Sequence, residues 1–191
     1  HEREGAGRWM PLSRPFSGTG EEFFGDVGQI VCGIPFHQKP TSLLFDYKVK
    51  LSGDPNRIKL SGFSKRSEVN GIDMPLVNLF LQKRWEDKDG NIYAKRIGTL
   101  VIRMDENTDW VNDASFTILY GDITKRSDYE EYMGFQLGES ARYSLNSKGK
   151  NVPIQEIGWG TEDDEVTHMI LEFCSSHGGS YIGLREIPFG R

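Results

Sequence analysis

Leu44-Phe45-Asp46-Tyr47-Lys48-Val49-Lys50-Leu51 alternates residue by residue: Phe45, Tyr47, Val49 and Leu51 fall on one face, Asp46, Lys48 and Lys50 on the other. A period of two marks a β-strand with one buried and one solvated face, because successive side chains of an extended backbone point to opposite sides. Just upstream, Gly33-Ile34-Pro35-Phe36-His37-Gln38-Lys39-Pro40 is punctuated by glycine and proline and reads as the turn that feeds this strand. The pattern repeats outward from there. Residues 57–64 place Ile58 and Leu60 on one face; residues 76–85 set Val77, Leu79, Leu81, Lys83 and Trp85 against Leu76, Asn78, Phe80 and Gln82, the first face being the more apolar. Asp87-Lys88-Asp89-Gly90-Asn91 is a hairpin signal, since Asp-Gly and Gly-Asn pairs tolerate the positive φ that tight turns demand. Residues 92–104 form one long strand or two, with Gly98 as the interruption, and residues 115–120 and 166–174 alternate in the same way. Only Ser127-Asp128-Tyr129-Glu130-Glu131-Tyr132-Met133 offers a helix, with an N-cap and one or two turns before Gly134. Strands at this spacing without intervening helices predict an all-β fold, an antiparallel β-sandwich or barrel.

A chain of 191 residues fits one domain, 1–191, in which residues 1–24 have no assigned place. Its 22 glycines and 8 prolines are scattered, as many short turns require, rather than gathered into a linker. The net charge of -5 and pI near 5.4 argue against a nucleic-acid partner. Phosphate binding needs clustered cations, and the basic pairs Lys65-Arg66, Lys83-Arg84 and Lys95-Arg96 each sit beside acids or apolar residues. No apolar run approaches the ~20 residues of a transmembrane segment. The chain opens at His1 rather than Met, as an exported protein does once its leader is removed. Cys32 and Cys174 read first as two buried free thiols and second as a disulfide; neither belongs to a Cys-x-x-Cys zinc pattern.

Gly33, Pro35, Phe36, Lys39 and Pro40, followed by a hydrophobic strand that ends in Tyr47-Lys48, resemble a carbohydrate-metabolism domain family found in exported proteins of gut Bacteroidetes. Members carry Gly-x-Pro-Phe, a basic residue and Pro, then a strand closing in Tyr-Lys. Asp109-Trp110 ahead of Phe116-Thr117-Ile118-Leu119-Tyr120-Gly121 and the late Ser175-Ser176-His177-Gly178-Gly179 are similar to further motifs of the same family. The similarity extends in short patches over residues 25–183; it lacks the family's terminal Gly-Ser-x-Leu-x-Val-Asp-Asp pattern, since this chain ends in Ile187-Pro188-Phe189-Gly190-Arg191. The resemblance implies a jelly-roll β-sandwich associated with glycans, in a periplasmic, cell-surface or extracellular protein. Any lipoprotein or surface attachment then lies outside this chain. It transfers no catalytic motif.

A pyranose ring presents an apolar C–H face that stacks on indole or phenol, while Asp, Asn, Gln and Arg hydrogen-bond its hydroxyls. On these grounds Trp159 is the first candidate: it stands between Gly158 and Gly160 with Gln155, Glu156 and Asp163 nearby, which reads as an indole on a polar loop. The competing reading folds Trp159 back as a plug at one end of the fold. Trp110, next to Asp109 and Asn112, reads as core first and ligand contact second, as does Trp85 at the end of its strand. Glu162-Asp163-Asp164-Glu165 is the densest acidic run and reads first as a solvated loop. The same oxygens are raw material for a structural calcium ion, which takes about 6–8 oxygen ligands. Glycoside hydrolysis requires two carboxyls at ~5 Å or ~6.5–9.5 Å, a pairing that adjacency in sequence does not reveal. Arg66-Ser67-Glu68 is similar to a segment of jelly-roll alginate lyases, but the companion Gln-Ile-His and Tyr/Lys motifs are missing. The sequence thus points to a carbohydrate-recognition module. A glycoside hydrolase or polysaccharide lyase, and an adhesive protein-binding module, are the alternatives.

Overall fold

In the computed structural model the described residues are 33–51, 56–61, 65–71, 74–174, 181–185 and 189–190. The opening segment 1–24 with Trp9, Cys32, and the Ser175-Ser176-His177-Gly178-Gly179 motif lie outside them. Among the described residues thirteen strands follow in chain order: β1 Ile34–Pro35, β2 Ser42–Lys50, β3 Asn56–Ser61, β4 Lys65–Asn70, β5 Leu76–Glu86, β6 Ile92–Arg103, β7 Val111–Thr117, β8 Leu119–Tyr120, β9 Tyr143–Leu145, β10 Asn151–Trp159, β11 His168–Cys174, β12 Tyr181–Arg185 and β13 Phe189–Gly190. The fold is all-β, as the alternation predicts. Where a short helix was expected before Gly134, a single 3-10 turn spans Glu131–Met133, and Glu130 supplies no side-chain cap to lengthen it. Among the described residues no helix is long and apolar enough to cross a membrane.

Seven strands form a large sheet in the order β1-β11-β5-β6-β10-β9, with β8 also against β6, and four strands form a second sheet around β2. Opposite edges of β2 are taken by β7 and by β12 followed by β13. The expected antiparallel pattern needs one correction: β10 runs parallel to β6, Ile154 opposite Ile92 and Glu156 opposite Ala94, so the large sheet is mixed. A parallel partner requires a long crossover, and here the crossover is the whole stretch from Met104 to Lys150, which carries β7, β8 and β9.

The face read from the opening alternation is the buried one. Leu43, Phe45 and Val49 of β2 pack with Val77, Leu79 and Leu81 of β5, Ile97 and Leu100 of β6 and Met169 of β11, and Tyr47 and Leu51 join at the margin. Phe45 anchors this layer with its ring 5.0 Å from Phe116, 5.5 Å from Phe173 and 5.6 Å from Tyr47. Residues 92–103 make one strand rather than two. Leu81 faces Gly98 and Gln82 faces Arg96, so Ile97 is an extra residue in a β-bulge. Gly98 is needed there: a Cβ would stand 2.9 Å from Leu81 Cδ1 and 3.1 Å from Ile118 Cγ2. The bulge turns Ile97 into the main core while Arg96 points to the opposite face of the sheet.

That opposite face is not wet. A smaller apolar cluster of Phe80, Ile92, Ala94, Ile154 and Ile170 lies on it, interleaved with buried Asn78, Gln82, Arg84, Arg96, Thr99 and Glu156. Residues 132–142 cover it: Tyr132 lies on Arg103, Phe135 on Trp159, and the Gln136 backbone N–H donates to Glu156 Oε2 at 2.9 Å.

The hairpin over Asp87-Lys88-Asp89-Gly90-Asn91 forms as its sequence predicts. Gly90 adopts φ +93, and Asp87 Oδ1 accepts from the Asp89 and Asn91 backbone amides at 2.9 Å each. A second turn docks on it: Asn146 Nδ2 donates to Gly90 O at 2.9 Å, and Ser147 donates through N and Oγ to Glu86 at 2.8 and 2.6 Å. The two turns brace each other and fix this end of the large sheet.

Candidate functional site

Register determines which side chains meet on the core-side face where it runs past the second sheet. Trp85 pairs with Tyr93 across β5 and β6, and Tyr93 pairs with Gln155 across β6 and β10. Paired residues share a face, so Trp85, Tyr93 and Gln155 make one row across three adjacent strands. The Trp85 and Tyr93 rings are near-parallel, 6.0 Å between centroids at 23°, and Trp85 is 40% exposed. In the next row, Lys83 pairs with Lys95. Lys83 Nζ donates to Asp164 Oδ1 at 3.0 Å. The Thr161 backbone N–H and then Lys83 hold the Asp164 carboxyl down at about 2. This tie brings the loop that carries exposed Asp163 to the same side of the sheet as Trp85. Desolvation first, and then the Asp87 charge, raise the Tyr93 phenol above its ordinary value.

The sequence candidates divide between the two faces. Trp85 and Gln155 share the core-side face with Tyr93, and the Lys83–Asp164 pair ties the loop that carries Asp163 to the next row. Trp159 does not lie on a loop: it ends β10 and sits on the opposite face, half-buried, its ring 4.7 Å from Phe135 and 6.0 Å from the Arg96 guanidinium carbon. Glu156 is 5% exposed and Arg96 fully buried. They form an ion pair through two hydrogen bonds, from Arg96 Nε to Oε1 at 2.5 Å and from Arg96 Nη2 to Oε2. Gln82 Nε2 donates to Glu156 Oε1 at 2.7 Å, and Arg84 Nε donates to Gln82 Oε1 at 2.7 Å, which extends the network along β5. The Arg96 guanidinium carbon stands 3.8 Å from the Phe80 ring centroid. That π face accounts for Nη1, which has no hydrogen-bond partner among the described residues. Trp110 is half-buried at the entry to β7, next in sequence to Asp109, which pairs with Lys48 at 3.0 Å.

Sequence reasoning missed a second feature, a cleft of about 300 Å³ between the network-bearing face and residues 132–142. Asn78, Arg103, Tyr132, Gln136, Ser140 and Arg142 line it with Leu76, Val101 and Cys174. Arg142 donates to Glu172 through Nε at 2.6 Å and Nη2 at 2.8 Å, and Asn78 Nδ2 donates to the same carboxylate at 3.1 Å. Burial alone pushes the Glu172 carboxyl up, but the hydrogen bonds from Arg142 and Asn78 outweigh it and hold the group below its ordinary value. Burial, with the nearby Glu172 charge, pushes the Cys174 thiol up, so it stays protonated and is a poor nucleophile. The only signal of this cleft in the sequence is the run of polar residues on the weaker face of residues 76–85.

His168 is a cross-strand residue: it pairs with Gln82 and Pro35, and its Nδ1 lies 2.9 Å from Thr167 Oγ1. Desolvation first, then the Arg84 and His37 charges, lower its imidazole from 6.5 to about 4. The unfolded imidazole therefore binds its proton first on acidification. The stability tied to neutral His168 is complete above about pH 6.5 and is lost as the pH falls through about 4. In urea titrations across that window, His168→Gln is expected to flatten the acid limb of the stability curve; an unchanged slope would rule His168 out as its cause.

Among the described residues, no three His, Cys, Asp or Glu side chains converge as a metal site requires. Cys174 is a free thiol. Comparison with protein-family models, with curated proteins and with solved structures finds no significant match to this chain.

Proposed function

We propose that this protein is the carbohydrate-binding module of an exported bacterial protein, and that its glycan lies on the Trp85–Tyr93 surface. One observation carries the reading: an exposed indole and a near-parallel phenol ring share a sheet face with Gln155. Aromatic surface takes the C–H face of a pyranose, and amide and carboxylate groups at the margin take its hydroxyls. Gln155 and Asp163 supply those polar contacts. Strand positions hold the row more rigidly than a loop would, and the docked turns at Gly90 and Asn146 brace it, so little ordering is required on binding.

The same proposal includes the finer architecture, a jelly-roll sandwich, and kinship with the Bacteroidetes carbohydrate-metabolism domain family. In support, β2 lays its apolar face on the large sheet, and the matching residues at 33–48 and 109–121 bracket that layer. Binding is favoured over hydrolysis because Glu156 and Glu172 are each engaged by an arginine, and Glu172 is held below its ordinary value, the reverse of what a general acid needs.

Affinity electrophoresis against a panel of plant and host polysaccharides tests the reading. At least one polysaccharide is expected to retard the protein. Trp85→Ala is expected to weaken that interaction by about 1.5–3 kcal/mol, the value of losing one large buried apolar contact. Unaltered retardation in Trp85→Ala, or none with any glycan, would overturn it.

A further inference from the structure

We infer that the cleft on the opposite face of the large sheet is a second binding site, independent of the aromatic surface, for a small monoanionic sugar acid of the hexuronate class held by Arg103. The charge balance of the lining is the starting point. Two arginines reach the cleft, and Arg142 is bonded to Glu172 and to Ser140 O at 2.8 Å, so that pair is neutral and shapes the wall. Arg103 has no carboxylate within ion-pair distance among the described residues. Its guanidinium carbon instead sits 3.4 Å from the centroid of the Tyr132 ring. Stacking fixes the plane of the guanidinium and leaves its N–H edges outward, the geometry that meets a carboxylate with two parallel hydrogen bonds.

The rest of the lining selects what carries that carboxylate. Asn78, Gln136, Ser140 and Tyr132 bring amide and hydroxyl groups, which suit a polyhydroxylated ring, while Leu76 and Val101 offer a narrow apolar strip for its C–H face. A volume of about 300 Å³ lies at the lower end of small-molecule sites, which suits a single ring rather than a chain. One net positive charge and one ring's worth of polar partners match a hexuronate.

Isothermal titration of the whole chain with sodium glucuronate, glucose and sodium acetate at low ionic strength tests this. Glucuronate is expected to bind at least about tenfold more tightly than either glucose or acetate, because only it uses both the charge-assisted pair and the hydroxyl contacts. Arg103→Gln, at an exposed position, is expected to remove that preference while leaving the protein folded, with a cooperative thermal transition well above the assay temperature. Ser140→Phe, which fills the cleft, is expected to abolish binding. Glucose or acetate binding as tightly as glucuronate, a preference that survives Arg103→Gln, affinity unchanged by Ser140→Phe, or no heat with any probe would each overturn the assignment.

Discussion

Replacing Arg96 with leucine is expected to destabilise the protein by about 3–5 kcal/mol, the penalty for leaving one charge of a buried pair without its partner. The geometry explains why the penalty sits at the upper end for single substitutions. Among the described residues, Glu156 keeps the Gln82 side chain and the Gln136 backbone as its donors once the guanidinium is gone. The substitution also forfeits the stacking of the guanidinium on Phe80. A companion double variant, Arg96→Met with Glu156→Leu, removes both charges and is expected to recover most of the loss, since paired buried ions and well-packed apolar residues are often near parity. Urea unfolding of the parent, the single and the double variant reads the result. A single variant within about 1 kcal/mol of the parent would show that water reaches Glu156 in solution.

Phe45→Ala is expected to cost about 3–5 kcal/mol as well, by a different route. Phe45 is 1% exposed and touches three other aromatic rings, from β2 itself, β7 and β11. Truncation leaves a cavity between the two sheets that β-strands, tied by their ladders, collapse into poorly. Its equilibrium urea midpoint is the measurement. A drop below about 1 kcal/mol would mean that the layers repack freely. Both positions trace to the alternation in their strands, but only Phe45 was identifiable from the sequence as core.

That contrast shows what the chain reveals in one dimension. Where one face of a strand is apolar and the other charged, as in β2, burial follows directly from period two, and the prediction held for Phe45, Val49 and the flanking Tyr47 and Leu51. The hairpin at Gly90 was equally legible, because positive φ restricts the residue choice. The network face was not. Asn78, Gln82, Arg84 and Arg96 look like a solvated edge, and nothing local says that residues 132–142 return to cover them or that Arg96 meets a glutamate sixty positions on. β10 was missed for a related reason. Pro153, Gly158 and a bulge at Ile157 break its alternation, so Trp159 read as loop when it ends a strand. Of the proposed glycan contacts, Trp85 is legible as an indole at a strand end and Gln155 and Asp163 only as polar neighbours of Trp159 in the sequence, whereas Tyr93 emerges only from register.

The placement of β2 has a consequence for biosynthesis. One of its edges pairs with β12 and β13, and those partners are drawn from the last residues of the described chain. A nascent polypeptide leaving the ribosome therefore carries β2 with open amide and carbonyl groups along that edge until β12 and β13 have emerged, the interval in which stray intermolecular ladders form. Charged Asp46, Lys48 and Lys50 on its outer side serve as gatekeepers during that wait.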